Sequence, residues 1–360
     1  VSSTTAPKFP HSLLSRLTMF LTRGSRFMII ERGLYVPSPV VLPTIQASKP
    51  FLKGFKGQAW VRVTPGWLSR NWRTHPVDAL LINGFGRFGN SVIQLLNARS
   101  IAARWNVSEV LFHRFDLIKN QNLHLSSTTR LEKTSLWGRK TKPPWVIWAT
   151  HALDGTHLID EACSPANAGV RELLASAVAP QIARSKEHGV LTAHFRSGDI
   201  FGPNPHRRYG QPPLSFYQKV VLHRGWSRVD IISEDRLNPC SAALESWCRE
   251  KNIPVTWSCL DLSQTIARVA GASNIVAGRG TFIPSIVFLF PGERSMFLFE
   301  PGEEPLLCDP KLTTQQVRDK QGHYTATVLD DNWLNSAQQR ELMLQYPDES
   351  LTPLHSWTQK

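Results

Sequence analysis

The six residues His194-Phe195-Arg196-Ser197-Gly198-Asp199 put an imidazole, a guanidinium, a glycine and a carboxylate into one short stretch. They follow the apolar run Val190-Leu191-Thr192-Ala193, which reads as a buried strand, and open into the loop Ile200-Phe201-Gly202-Pro203. A strand that ends this way delivers several polar groups to the carboxyl edge of a sheet, where open α/β sheets bind ligands. An arginine there, beside a glycine that lets backbone come close, suits a phosphate or diphosphate. The same residues fit a strand-end Arg–Asp ion pair that caps a loop, and the sequence leaves both readings open.

Three further stretches carry chemistry. Gly84-Phe85-Gly86-Arg87-Phe88-Gly89 matches a dinucleotide-binding glycine loop, which would hold pyrophosphate at a helix N-terminus. The acidic residue expected at the end of the next strand is missing, because Leu111-Phe112 runs into His113-Arg114. In Ile231-Ile232-Ser233-Glu234-Asp235 two carboxylates can accept hydrogen bonds from a base edge or a ribose, or can cap the helix that follows. In Ala277-Gly278-Arg279-Gly280-Thr281-Phe282 the glycines admit backbone closely, Arg279 adds charge, and Thr281 with the opening N–H groups of a helix can receive phosphate oxygens. The loop His206-Arg207-Arg208-Tyr209 suits an acceptor glycan or a phosphate, or is a solvated loop.

These residues need strands and helices to position them. From Asp78 onward short apolar runs alternate with helical patterns, as α/β units require. Strands are predicted at residues 79–82, 110–113, 145–148, 190–195, 229–233, 255–257, 275–277 and 296–299. Helices are predicted at 90–105, 168–183, 214–223, 241–251, 262–271, 282–289 and 336–346. Residues 116–144 read as irregular, and the chain beyond Pro305 as polar.

The 360 residues exceed what one core ordinarily supports, which implies more than one domain. The expected organisation is a basic segment over 1–75, a Rossmann-like domain over 76–185, a second over 186–330, and a C-terminal helix and tail over 331–360. Of the net charge of +13, +10 lies in residues 1–75, where eleven Lys and Arg face the single acid Glu31. Leu13, Leu14, Leu17, Phe20, Leu21, Phe27 and Met28 recur there at helical spacing beside Arg16, Arg23 and Arg26. That pattern fits a helix lying on an anionic membrane, a helix docked on its own domain, or a transit peptide. Charge confined to one segment, without interleaved stacking motifs, argues against nucleic acid as the partner. Five cysteines with no Cys-x-x-Cys pair read as reduced core thiols, and so as a cytoplasmic protein with peripheral membrane contact at most.

Two resemblances bear on function. Ile82-Asn83-Gly84-Phe85-Gly86-Arg87 resembles the opening of glyceraldehyde-3-phosphate dehydrogenases, but the Cys-Thr-Thr-Asn context of their nucleophile occurs nowhere in the chain. Gly86-Arg87-Phe88-Gly89-Asn90-Ser91-Val92-Ile93-Gln94 resembles the first block of the fucosyltransferase superfamily, with Ser91 where that family commonly has Gln. His194–Asp199 is similar to its His-x-Arg-x-Gly-Asp block, Ile231–Asp235 to its strand-end acidic block, and residues 262–282 to its third block. Each is weak alone, and their shared order is what gives them weight. The resemblance covers residues 83–299 and implies a GT-B glycosyltransferase, with two Rossmann-like domains and a cleft between them.

It implies an inverting transfer of L-fucose from GDP-fucose to a glycan or glycoconjugate hydroxyl, with no cofactor and no metal; the chain contains no Asp-x-Asp. Carried over, Arg196, His194 and Asp199 become the catalytic group. Gly86, Gly89, Asn90, Arg196, Ser233, Glu234, Asp235, Gly280, Thr281 and Phe282 become the donor site. Arg87, His206, Arg208 and Tyr209 are assigned to the acceptor. His194, Asp199 and Glu234 are candidates for the general base, and a loose oxocarbenium-like path would need little base assistance. Another nucleotide sugar, an NAD-dependent dehydrogenase and a nucleic-acid-binding protein remain the alternatives.

Overall fold

The computed structural model describes residues 187–300 and 309–356 continuously, residues 87–93, 95–96, 171–172 and 175, and six strands before residue 149. The amphipathic stretch of residues 13–28 and Gly86 lie outside the described residues. The chain divides into two compact units, Val1–Phe85 with Gln94–Leu158, and Gly86–Ile93 with Ile159–Lys360.

The first unit contains β1 (Val61–Arg62), β2 (Ala79–Ile82), β3 (Glu109–Phe112), β4 (Leu123–His124), β5 (Arg130–Lys133) and β6 (Val146–Trp148). They form one sheet in the order β1-β6-β2-β3-β5-β4, parallel except for β4. Two expectations change here. The basic segment contributes β1 to the sheet, and the stretch 116–144, which reads as irregular, contains β4 and β5.

The second unit is built on β7 (Glu187–Phe195), β8 (Arg228–Ser233), β9 (Val255–Cys259), β10 (Ala272–Val276), β11 (Arg294–Phe299), β12 (Leu312–Val317) and β13 (His355–Ser356). Their order is β13-β12-β11-β10-β7-β8-β9, and all but β13 run parallel. Renumbered from β7, the six parallel strands lie in the order 3-2-1-4-5-6, which is the Rossmann arrangement. The order reverses between β7 and β10, and ligands of such sheets bind at that switch point.

Central strands covered on both faces need near-continuous apolar sequence. Leu191, Ala193 and Phe195 of β7, Val229, Ile231 and Ile232 of β8, and the whole of β10 are buried accordingly. The outer strand β9 is mostly exposed or half-buried. After β7 the described α-helices of the unit are α1 (Leu214–Leu222), α2 (Pro239–Glu250), α3 (Leu262–Gly271), α4 (Phe282–Leu289) and α5 (Ala337–Gln345). Asn238 caps α2 with Pro239 in the first turn, and Asp261–Gln264 and Ser336–Gln339 form capping boxes on α3 and α5.

Two predicted boundaries move. Residues 88–93, the helical start after the glycine loop, belong to the second unit rather than the first. The Thr281 hydroxyl donates to Asn90 Oδ1 (2.8 Å) and Ser285 to the Gly89 carbonyl (3.2 Å), and these tie the segment to α4. A Cβ on Gly89 would stand 2.5 Å from the Thr281 carbonyl, so only glycine permits this approach. The segment beyond residue 330 is likewise no appendage. Trp333, Met343, Tyr346 and Leu351 sit in the same core as Phe195, Phe216, Tyr217 and Phe299. The polar strand β12 was not predicted.

Asp319 ties that segment down. Its carboxylate accepts from the N–H groups of Tyr324 (2.7 Å), Thr325 (3.2 Å) and Gln321 (3.2 Å), and from the Tyr346 hydroxyl (2.7 Å). Burial alone would raise this carboxyl; the four hydrogen bonds outweigh it and hold it below its ordinary value. A depressed carboxyl stabilises the fold above its unfolded pKa, and that stability is lost as pH falls through the folded value. Asp319→Ala is therefore expected to cost about 2–4 kcal/mol in urea unfolding at pH 7, with the deficit shrinking below about pH 4. The exposed Asp331→Asn, which keeps a residue tolerant of the φ of +57° there, is expected to fall within about 1 kcal/mol of wild type.

Candidate functional site

Register brings the chemistry to one edge. Phe195 of β7 pairs with Ser233 of β8, and Ala193 with Val276 of β10. The residues that follow these strands, Arg196, Glu234 and Gly278–Thr281, therefore leave the sheet on the same side of the switch point. Gly280 has φ of +119°, a conformation open to glycine, and the Arg196 Nη1 lies 3.1 Å from where its Cβ would be.

Arg196 is the centre of the group. Its side chain is only 15% exposed, yet its nearest carboxylate oxygen, Asp199 Oδ1, is 3.8 Å from Nη2, an ion pair too long for a hydrogen bond. The guanidinium lies 3.7 Å above the Tyr209 ring, and its buried Nε has no partner. Burial lowers the Arg196 pKa from its ordinary value, while Asp199 and Tyr209 act in the opposite direction. An arginine nonetheless keeps its proton in proteins. The backbone beneath it is fixed, because Asn238 Nδ2 donates to the Arg196 carbonyl at 2.9 Å.

Three more buried polar atoms without a partner belong to neighbouring chain: His194 Nδ1, Gln211 Oε1 and Arg279 Nη1. A Cβ on Gly278 would stand 2.6 Å from Gln211 Oε1, 3.5 Å from the His194 carbonyl and 3.7 Å from the Arg196 N, so Gln211 Oε1 lies at the β7–β10 edge. Buried polar atoms ordinarily find partners. Unmet atoms on Arg196 and Gln211 beside the switch point mark this edge as a candidate ligand site. Gln211 is a site residue that sequence reasoning missed; a glutamine before Pro212-Pro213 gives no signal.

The predicted site residues divide. Arg196, His194, Asp199, Glu234, Gly280, Thr281, Phe282, Gly89, Asn90 and Arg87 lie around this edge. Arg87 makes ion pairs with Asp199 (3.0 Å) and Glu234 (3.8 Å), so it joins the carboxylates expected near the donor rather than a separate acceptor surface. Phe282 packs between Phe88 (5.6 Å) and His194 (5.1 Å).

Ser233 and Asp235 have other work. Ser233 is buried, accepts from the Trp257 indole (3.0 Å) and donates to the Asp235 carbonyl (2.6 Å). The Asp235 carboxylate accepts from the Ser197 hydroxyl and the Leu237 N–H, which braces the β7 and β8 loops against each other. Tyr209 is spent supporting Arg196. His206 Nδ1 accepts the Arg208 N–H (3.3 Å), and Arg208 pairs with Asp331 (3.2 Å) at the surface.

The base candidates also separate. Burial, then the charge of Arg196, pulls His194 down to about 3, which makes it a neutral imidazole and a poor base. Burial raises the Glu234 carboxyl, with Arg87 opposing, and this favours Glu234 as proton acceptor. Among the described cysteines, Cys240 and Cys248 are core thiols, whereas Cys259 is exposed. No group of three His, Cys, Asp or Glu suited to a metal occurs among the described residues, and no helix there is long and apolar enough to cross a membrane.

Comparison of the chain with protein-family models, curated proteins and solved structures gave no match. The site therefore stands on its own geometry.

A histidine kept neutral in the fold binds fewer protons than in the unfolded chain between its two pKa values, so stability falls as pH drops through that window. The melting temperature should decline from about pH 6.5 towards pH 4 less steeply in His194→Gln than in wild type. Parallel curves would show that His194 titrates as it does in the unfolded chain.

Proposed function

We propose that the chain is a glycosyltransferase that moves a sugar from a nucleotide donor, GDP-fucose by resemblance, to a glycan or glycoconjugate hydroxyl. The observation that carries the reading is Arg196, a water-poor cation at the switch point with no carboxylate in hydrogen-bond range among the described residues. Strong sites for phosphate pair a bidentate guanidinium with helix N-terminal amides. The same reading takes the two units as the two Rossmann-like domains of a GT-B enzyme, with the donor on the C-terminal one. A basic N-terminal segment suits a membrane-adjacent acceptor.

As the sugar–phosphate bond breaks, positive charge grows on the sugar ring and negative charge on the departing diphosphate. Arg196 and the opening N–H groups of α4 receive that negative charge without a metal. Glu234 takes the proton of the attacking hydroxyl, and inversion at the anomeric carbon is what the resemblance implies. Neutral His194, packed on Phe282, shapes the floor of the site and adds no competing charge.

Screening the full chain by thermal shift against GDP-fucose, GDP-mannose, UDP-sugars and CMP-Kdo tests the donor. GDP-fucose should raise the melting temperature most. Arg196→Ala should abolish that rise and slow GDP release from the donor by about 10²–10³-fold, corresponding to about 3–4 kcal/mol. Near-normal release by the variant, or equal stabilisation by every compound, would contradict the assignment.

A further inference from the structure

Asp199 Oδ1 faces two guanidiniums at once, Arg87 Nη2 at 3.0 Å and Arg196 Nη2 at 3.8 Å. Both cations are thus within reach of a single anionic oxygen. Arg87 also reaches Glu234 Oε1 at 3.8 Å. Resting on the functional reading above, we propose that Arg87 is a second ligand for the donor's diphosphate and that the Asp199 carboxylate is an internal stand-in that the diphosphate displaces.

Three observations carry this. Two guanidiniums at 3.0 and 3.8 Å from one anionic oxygen can each take an oxygen of a diphosphate, whereas a single phosphate can be held by one fork. The contacts of Arg87 are easily exchanged, because its side chain, Asp199 and Glu234 are 54%, 44% and 47% exposed, and ion pairs at that exposure are weak. Negative charge is also crowded here: burial raises the Glu234 carboxyl, and Asp235 and Asp199 push it further in the same direction. A diphosphate brings more charge than Asp199 removes, so the exchange is driven by the ligand taking both guanidiniums while Asp199, 44% exposed, turns to water.

The segment that carries Arg87 is anchored and does not need to move. Ser285 holds the Gly89 carbonyl and Thr281 holds Asn90, so only the arginine side chain has to turn. Asp199 sits in a short 3₁₀ turn, Gly198–Phe201, whose far end is fixed by Trp333 Nε1 donating to the Ile200 carbonyl (2.7 Å) and Asn335 Nδ2 to the Phe201 carbonyl (2.8 Å). A side-chain exchange on a fixed backbone follows. Asp199 then opposes binding in the unliganded protein, which is the reverse of the catalytic role its motif suggests.

Calorimetric titration of the full chain with pyrophosphate, GDP and inorganic phosphate, at one ionic strength, tests the exchange. Arg87→Gln should weaken pyrophosphate and GDP about tenfold and inorganic phosphate much less. Asp199→Asn should tighten pyrophosphate several-fold, and this gain should be smaller in the Arg87→Gln background than in wild type, because only Arg196 remains to be unmasked. Arg87→Lys should lie between wild type and Arg87→Gln, because it keeps charge but loses the fork. Unchanged melting temperatures would confirm that all variants are folded. If Arg196→Gln binds as wild type does, the functional reading itself falls. If Arg196→Gln loses binding while Arg87→Gln binds normally or Asp199→Asn binds more weakly, this inference alone is overturned.

Discussion

One guanidinium organises the C-terminal unit. Arg196 follows the central strand β7, where the sheet order reverses, and lies over the Tyr209 ring with most of its water removed. Taking a cation out of water is costly unless something neutralises it. The nearby carboxylate of Asp199 stands too far off to hydrogen-bond, and this under-neutralised cation is what the proposed function assigns to an anionic ligand. Gly280 leaves room for the guanidinium, and Asn238 holds the backbone that aims it.

The rest of the unit keeps that cation where it is. Trp333 and Asn335, from beyond β12, hold the loop that carries Asp199, and Asp319 holds the chain that carries Trp333 to the core. The Tyr324 hydroxyl donates to the Gln211 carbonyl at 2.6 Å, which places Gln211 beside the site. Nearly forty residues of C-terminal chain therefore act on the site through packing and hydrogen bonds. Their polar sequence gives no hint of it.

What the sequence showed and what it hid follow from how each residue is satisfied. Val190–Phe195 and Val229–Ser233 are legible because a strand buried on both faces must be apolar along its length. Helices α1, α3 and α4 begin where expected, since their apolar content, and on α3 the Asp261–Gln264 capping box, are local signals. Strand β12, Leu-Thr-Thr-Gln-Gln-Val, escapes because its polar sequence lacks the apolar signal, and the Nε2 of buried Gln316 meets His355 from β13, a partner that no local pattern reveals. Ser233 and Asp235 resemble ligand groups in sequence, yet Trp257 and Ser197 claim them. His194 resembles a base until burial and Arg196 are counted against it. Residue types were readable; competition between partners from distant chain was not.

A structure of the chain with bound GDP tests the central idea most directly. The account predicts a phosphate oxygen hydrogen-bonded to the Arg196 guanidinium, at the edge between β7 and β10, with the Tyr209 ring still beneath it. A nucleotide seated elsewhere, with Arg196 hydrogen-bonded to a carboxylate of its own chain, would contradict it.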